Sequence, residues 1–313
     1  MVKKIQAFLE GEKIKQKLLI KHSNKGMTAK GAPYLNLVFQ DDSGNIEGKK
    51  WDVSEEEEMI FKIGNIVEVE GDVLKYKNSL QLRVNGGILI SPTESDPTDF
   101  IKKAPQDRKT MQKELFEYIE GIKNKNIKLI VDEIIKENYL SFSTFPAATT
   151  NHHEYASGLL YHTLSMLKLA DALCQLYPSI NRDLLIGGVI LHDVGKTKEL
   201  SGPLVPKYTV EGNLIGHISI IQADIANIAK KHSITGETPV LLQHMVLSHH
   251  GKKAFGSPIE PLIKEAEILS FIDNLDSKIN IIERELAEIN EGEFTKKIYP
   301  LEDRSFYKPI KEK

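Results

Sequence analysis

Cysteine is nearly absent: Cys174 is the only one in 313 residues. A single thiol excludes an internal disulfide framework and a cysteine-rich zinc site, and it suits a reducing compartment. Cys174 lies in an apolar helical stretch and reads as a small buried hydrophobe. Long hydrophobic runs are missing too, and no segment approaches the ~20 apolar residues of a membrane span. The beginning of the chain carries lysines but no apolar stretch before charge returns, so it does not read as a signal peptide. A cytoplasmic location without a membrane partner is the expectation. Bulk charge is also lacking. The 41 Lys+Arg residues against 44 Asp+Glu leave a formal net charge of −3. Any surface for nucleic acid must therefore be local.

What is present is an ordinary globular composition over a length that suits two domains. Residues 1–92 read as β. Tyr34 to Phe39 is rich in aromatic and β-branched residues, and Asp41 to Asn45 supplies turn chemistry. Ile66 to Val73 alternates apolar and polar residues, the period of a half-buried strand. A turn at Lys77-Asn78 leads into another strand up to Val84. Several short strands imply a small closed barrel. The four glutamates Glu55–Glu58 read as a solvated loop within it. Pro92, Pro97 and Pro105 among polar residues mark residues 93–106 as a linker.

From 107 to 300 the pattern is helical. Apolar residues keep helical spacing at Ile127, Ile130, Val131, Ile134 and Ile135. Strong helices follow at about Gly158–Tyr177, Arg182–His192, Gly216–His232, Pro239–His249 and Ile263–Ile289. The polar stretch from Asn290, ending in residues 301–313, reads as a loose tail. The fold class expected is thus a two-domain chain, all-β and then all-α.

Histidine is unevenly placed. Only His22 precedes residue 150, and the other nine lie from His152 to His250. Imidazole and carboxylate are the usual ligands of first-row divalent metals. His162 projects near the apolar face of its helix, His192-Asp193 ends an almost wholly apolar helix, and His217 is followed at helical spacing by Ile221 and Ile225. His249-His250 closes another apolar helix, and Asp273 lies four residues after Leu269, with Asp276 one turn later as its rival. Taken singly, each has a bland reading: a satisfied core histidine, a chance His-Asp pair, a solvated helix acid. Together, five helices direct ligand types inward, where an unpaired charge costs several kcal/mol and a shared metal removes that cost. Both members of His249-His250 can join one cluster only if the helix ends there, which Gly251 permits. A nitrogen-rich ligand set suits Mn²⁺, Fe²⁺, Co²⁺ or Ni²⁺ better than Mg²⁺. Lys196, three residues beyond Asp193 after a glycine that lets the backbone turn, is a candidate contact for a scissile phosphate. His152 or His153 is a candidate for protonating the leaving group or holding the terminal nucleotide.

The segments around His162, Leu191-His192-Asp193-Val194-Gly195-Lys196, Gly216-His217, Ser248-His249-His250-Gly251 and Ile272-Asp273 resemble the HD-domain phosphohydrolases over roughly Asp107 to Ile289. With the β domain upstream, the whole chain resembles the YhaM-type 3′→5′ exoribonucleases of Gram-positive bacteria, which have an OB-type barrel before an HD domain. That resemblance implies that His162, His192, Asp193 and Asp273 hold one metal. It implies that Asp193 bridges to a second, completed by His217 and by His249 or His250. It further implies Mn²⁺ as the metal, a two-metal mechanism, and single-stranded RNA as the substrate, with single-stranded DNA as a second polymer. On the barrel, Tyr34, Lys49, Trp51, Tyr76 and Lys77 are the candidates for stacking on bases and pairing with phosphates. The alternatives weighed are a phosphohydrolase of small nucleotides and a nucleic-acid-binding regulator with a structural metal. Assembly into a homo-oligomer is left open.

Overall fold

The computed structural model describes residues 3–77, 79–91, 93–95, 97–147 and 155–311. The chain divides into two compact units: Met1–Lys103 with Pro203–Val205, and Ala104–Gly202 with Pro206–Lys313.

The first unit is a closed five-stranded barrel. Its strands are β1 (Lys13–Met27), β2 (Pro33–Asp41), β3 (Gly44–Trp51), β4 (Ile66–Tyr76) and β5 (Ser79–Leu89), in the order β1-β2-β3-β5-β4. All neighbours are antiparallel except β3 and β5, which run parallel with Lys49 opposite Arg83. Alternate residues point inward, so Leu18, Leu37, Phe39, Val67, Val69 and Leu82 fill the interior. Tyr34, Lys49 and Trp51 consequently belong to the other face of β2 and β3.

Two features differ from the reading of the sequence. Residues 13–27 form the longest strand, although Gln16 and the consecutive Leu18, Leu19 and Ile20 break its alternation, and the register shifts between Ile20 and His22. The glutamate run is a helix rather than a loop: α1 spans Glu55–Ile60. Its start is fixed by a capping box, in which Ser54 accepts from the Glu57 amide while the Glu57 carboxylate accepts from the Ser54 amide. Four acids in its first turn also suit the positive end of the helix.

The second unit is helical: α2 (Arg108–Glu120), α3 (Lys125–Thr144), α4 (Gly158–Leu176), α5 (Arg182–Leu191), α6 (Lys196–Glu199), α7 (Val210–Leu214), α8 (His217–Lys231), α9 (Glu237–Ser248) and α10 (Lys264–Ala287). Side-chain caps from Asp107, Asn124, Asn181 and Thr209 define four of the starts. The central element is α5, buried from Leu184 to Leu191 and packed on α3, α4, α9 and α10. An element apolar all round has to lie in the middle of a bundle, and this one therefore delivers its C-terminal residues into the interior. Within the stretch read as a linker, Phe100 and Ile101 are buried. After α10 the chain is anchored rather than loose: Ile298 and Leu301 pack on Ile281, and Phe294 and Ile298 form bridges with Tyr307 and Arg304. Its polar composition conceals Ile298 and Leu301, with Phe306 packed beside them.

Among the described residues, no helix is long and apolar enough to cross a membrane.

Candidate metal centre

The interior of the helical unit collects five imidazoles and two carboxylates. His162 comes from the buried face of α4, His192 and Asp193 from the end of α5, and His217 from the first position of α8. The helix α9 stops at Ser248; His249 still has helical angles, φ −63 and ψ −26, and Gly251 turns the chain away with φ +78, with the rings of His249 and His250 4.3 Å apart, centroid to centroid. Asp273 enters from α10.

Asp193 sits between two sets of imidazoles. Its Oδ2 lies 3.3 Å from His192 Nε2 and 4.0 Å from His162 Nε2. Its Oδ1 lies 3.3 Å from His217 Nε2 and 3.8 Å from His249 Nε2. Asp273 Oδ1 is 3.3 Å from His162 Nε2. The ring of His250 is 4.3 Å from that of His249 and 5.6 Å from that of His217, centroid to centroid. Two groups result, His162/His192/Asp193 and His217/His249/His250, each with its ligand atoms within 4.8 Å of one another.

Every one of the five rings is held by its other nitrogen. His192 Nδ1–H donates to the Val189 carbonyl at 2.7 Å, His249 to Val246 at 2.7 Å and His250 to Phe255 at 3.0 Å. His162 Nδ1 meets Asp276 Oδ2 at 2.7 Å, and His217 Nδ1 meets Glu199 Oε1 at 3.0 Å. A carbonyl or carboxylate can only accept, so Nδ1 carries the proton in each ring and Nε2 faces the cluster. At His162 burial opposes the charge, but Asp273 and Asp276, one at each nitrogen, raise the ring to about 9, so its Nε2 is also protonated until a cation displaces that proton. Asp276 and Asp273 are thus not rivals, because they address opposite nitrogens of one ring. Glu199 and Asp276 are the partners that the sequence did not reveal as such: they lie 18 and 114 positions from the histidines they hold.

The electrostatics agree with a ligand set. Burial pushes His249 well below the ordinary imidazole value, reinforced by His250 and His192, and it lowers His250 as well. Both are therefore neutral. Burial opposes ionisation of Asp193, yet Lys196, His192 and His217 hold its carboxyl well below the usual range. Asp273 is likewise kept ionised against burial, chiefly by His162. Among the described residues, Nε2 of His192, His217 and His249 and Oδ1 of Asp193 are buried with no hydrogen-bond partner. Each such group costs ~1–3 kcal/mol when left unsatisfied. Orphaned lone pairs from several helices, all converging, fit a divalent cation centre.

Lys196 reaches Asp193 Oδ2 at 2.6 Å. Burial disfavours its charge, but the Asp193 carboxylate outweighs that and holds the ammonium above its ordinary value. The glycine before it has a role other than the one expected. Gly195 has helical angles, φ −56 and ψ −21, so it supplies no unusual turn. Its lack of a side chain instead lets the His217 backbone approach: a Cβ there would lie 2.2 Å from the His217 carbonyl oxygen. His152 and His153 lie outside the described residues.

On the barrel, Tyr34 and Trp51 face each other across β2 and β3, with ring centroids 5.1 Å apart. Lys49 Nζ lies 4.8 Å from the Tyr34 centroid and 4.7 Å from that of Trp51. Tyr76 and Lys77 come together at the end of β4, with the ammonium 5.5 Å from the ring. Tyr76 and Trp51 are both exposed.

A helical bundle in which His, His-Asp, His, His-His and Asp converge is the signature of HD-domain proteins, and residues 159–278 match the HD domain family. The similarity to known proteins extends much further. The chain is 50% identical over 311 residues to the 3′-5′ exoribonuclease YhaM of Geobacillus sp. (strain WCH70), covering 99% of this chain and 96% of that one. It is 47% identical to the 3′-5′ exoribonuclease YhaM of Bacillus subtilis (strain 168), covering 99% of both. The chain belongs to the YhaM family. Among solved structures, the second OB-fold domain of replication protein A from Methanococcus maripaludis aligns at 23% identity with a TM-score of 0.25. It covers 29% of this chain and 96% of that one. The barrel assignment rests on the strand pairing described above.

Proposed function

We infer that the chain is a metal-dependent 3′→5′ exoribonuclease that hydrolyses single-stranded RNA to nucleoside 5′-monophosphates, with single-stranded DNA as a second polymer. The observation that carries this reading is Asp193, whose two oxygens face two separate groups of imidazole nitrogens. In a chain of this family, that arrangement suits hydrolysis of phosphodiesters.

In this reading His162, His192, Asp193 and Asp273 hold one divalent ion. His217, His249 and His250 hold a second, with Asp193 shared between them. The nitrogen-rich set favours Mn²⁺, with Fe, Co or Ni as alternatives. When bound, such ions supply Lewis-acid polarisation of the phosphodiester and make water nucleophilic at neutral pH. The remaining work belongs to the chain. The Nδ1 anchors keep all five Nε2 atoms aimed at the cluster, and His162 would give up its Nε2 proton on binding a cation. Lys196, charged and at the cluster, is placed to meet a non-bridging phosphate oxygen as a point charge. The half-buried Tyr34 and exposed Trp51 under Lys49, with Tyr76 and Lys77, bind the strand by stacking and charge.

The test is incubation with 5′- and 3′-labelled single-stranded RNA and DNA in Mn²⁺, with product sizing. Stepwise shortening of the 5′-labelled strand with release of mononucleotides is expected. Asp193→Ala should abolish it, and full activity in that variant would remove the shared-carboxylate mechanism.

A further inference from the structure

Beside the ligand cluster opens a cavity of about 1030 Å³ whose lining includes Asp193, Lys196, His249, His250 and Asp273. Its remaining walls come from three places. One is a stripe along α10, including Phe271, Asn274 and Lys278 at helical spacing. Another is the segment after α9, with Lys252 and Phe255, and the third is Tyr299–Asp303. The last of these lies beyond residues 159–278, the part matching the HD domain family. The wall is thus added to the shared centre by this chain's own C-terminal segment, which is pinned there by Ile298 and Leu301 on Ile281.

Three aromatic rings line this cavity while remaining open to solvent: Tyr299 is 85% exposed, Phe271 66% and Phe255 60%. None of them contributes to a hydrophobic core of the unit. Three solvent-open rings lining one cavity beside the ligand cluster offer their faces to nucleic-acid bases. The charges narrow the occupant. Outside the ligand cluster, the lining offers the ammonium groups of Lys196, Lys252 and Lys278 alongside the carboxylates of Glu260, Glu267, Glu302 and Asp303. Such a mixture suits one or two phosphates near the lysines, with sugar hydroxyls and base edges donating to the carboxylates. It opposes a long continuing run of phosphates. The volume lies just above the ~300–1,000 Å³ of small-molecule sites and is ample for a nucleotide.

We propose that Phe255, Phe271 and Tyr299 form a base-stacking subsite that holds the 3′-terminal nucleotide of the substrate strand against the metal centre. This rests on the nuclease reading above. The aromatic wall selects a strand end that carries a base, and it positions the terminal phosphodiester beside Asp193 and Lys196.

The test separates the subsite from the nuclease activity. A short RNA ending in 2-aminopurine reports stacking by quenching, in a metal-free buffer where no cleavage is needed. Tyr299→Ala and Phe271→Ala remove rings that are mostly exposed, so both variants should fold, as a melting curve will verify. Wild type should quench the probe, and each variant should bind it about 5- to 150-fold more weakly, the range for losing one stacked base. In Mn²⁺, wild type should release a normal 3′ nucleotide faster than an abasic one, with the difference carried in KM. The double variant should lose that preference. Equal quenching by wild type and double variant, or an unchanged base preference, overturns the subsite even if the chain is a nuclease. Quenching that the variants abolish, in a protein that cleaves nothing, upholds the subsite and removes the nuclease reading instead.

Discussion

Gly195→Ala sets two physical expectations against each other. The backbone at Gly195, just before α6, has helical angles that alanine adopts without strain, and replacing glycine at such a position stabilises by ~0.4–1 kcal/mol through the unfolded chain. On that ground alone the variant should gain stability. Its surroundings predict the reverse. The new Cβ would lie 2.2 Å from the His217 carbonyl oxygen, 2.9 Å from its carbon and 3.0 Å from its Cα. All three are backbone atoms, so no rotamer change relieves the contact. Real Cβ contacts begin near 3.0 Å, so the start of α8 must retreat by about 0.8 Å. Overpacking of this kind costs ~1–3 kcal/mol. The retreat also carries His217 away from Asp193 Oδ1, now 3.3 Å distant. Displacements of about 1 Å in a catalytic array cost ~10²-fold, and disturbed ligand support costs about 10- to 100-fold in metal affinity. Calorimetric titration of the metal-stripped protein with Mn²⁺ should therefore show at least one binding event weakened by that amount, and the metal-free protein should melt earlier. A Gly195→Ala protein that binds Mn²⁺ as tightly as wild type and melts no lower would refute the close-approach argument.

Glu199→Ala removes the acceptor of His217 Nδ1 and should raise the Mn²⁺ needed for half-maximal turnover about 10- to 100-fold; an unchanged metal requirement would show that the ring needs no such anchor. Trp51→Ala should weaken binding of a phosphorothioate single strand, read by fluorescence anisotropy, by about 5- to 150-fold, while leaving the melting temperature close to that of wild type. For His244, burial lowers the imidazole below its ordinary value of 6.5, and its Nε2 accepts the Leu262 amide at 2.9 Å. A depressed folded value means that the unfolded chain takes up the proton first. The stability from this neutral ring is complete above pH 6.5 and is lost as the pH falls through 6.5 toward the folded value. Denaturant unfolding between pH 7.5 and 5.5 should accordingly show a smaller loss for His244→Gln than for wild type; equal losses would exclude the ring as a contributor.

The helical unit was legible in the sequence because its signals are local. Apolar spacing marks α4, α5, α8, α9 and α10 to within about two residues at most ends. The histidines stand out by their crowding, and five of them meet at one cluster while His232 and His244 of the same stretch pair elsewhere, with Glu133 and the Leu262 amide. The barrel was legible as β, but β1 was not, because Gln16 takes an inward position and the consecutive Leu18, Leu19 and Ile20 break the alternation that Lys13, Lys15 and Lys17 begin. The helix α1 was missed although Ser54 and Glu57 have the spacing of a capping box. Four glutamates without an apolar partner carry no periodicity, and the cap is the only readable sign. Glu199 and Asp276 were beyond reach in principle: their partners are set by tertiary structure, and a carboxylate on a helix looks the same whether it meets water or an imidazole. Gly195 was noticed for the wrong reason, since a sequence shows that a side chain is missing but not which neighbour needs the space.

The anchors behind the five rings have unequal exposure to mutation. His192, His249 and His250 lean on peptide carbonyls, which every amino acid supplies, so no replacement at Val189, Val246 or Phe255 deletes the acceptor itself. His162 and His217 lean on side chains, Asp276 and Glu199, each removable by a change in one codon. Inherited loss of function should accumulate at those two acids as readily as at the histidines they serve, while the three peptide-held rings present a smaller genetic target.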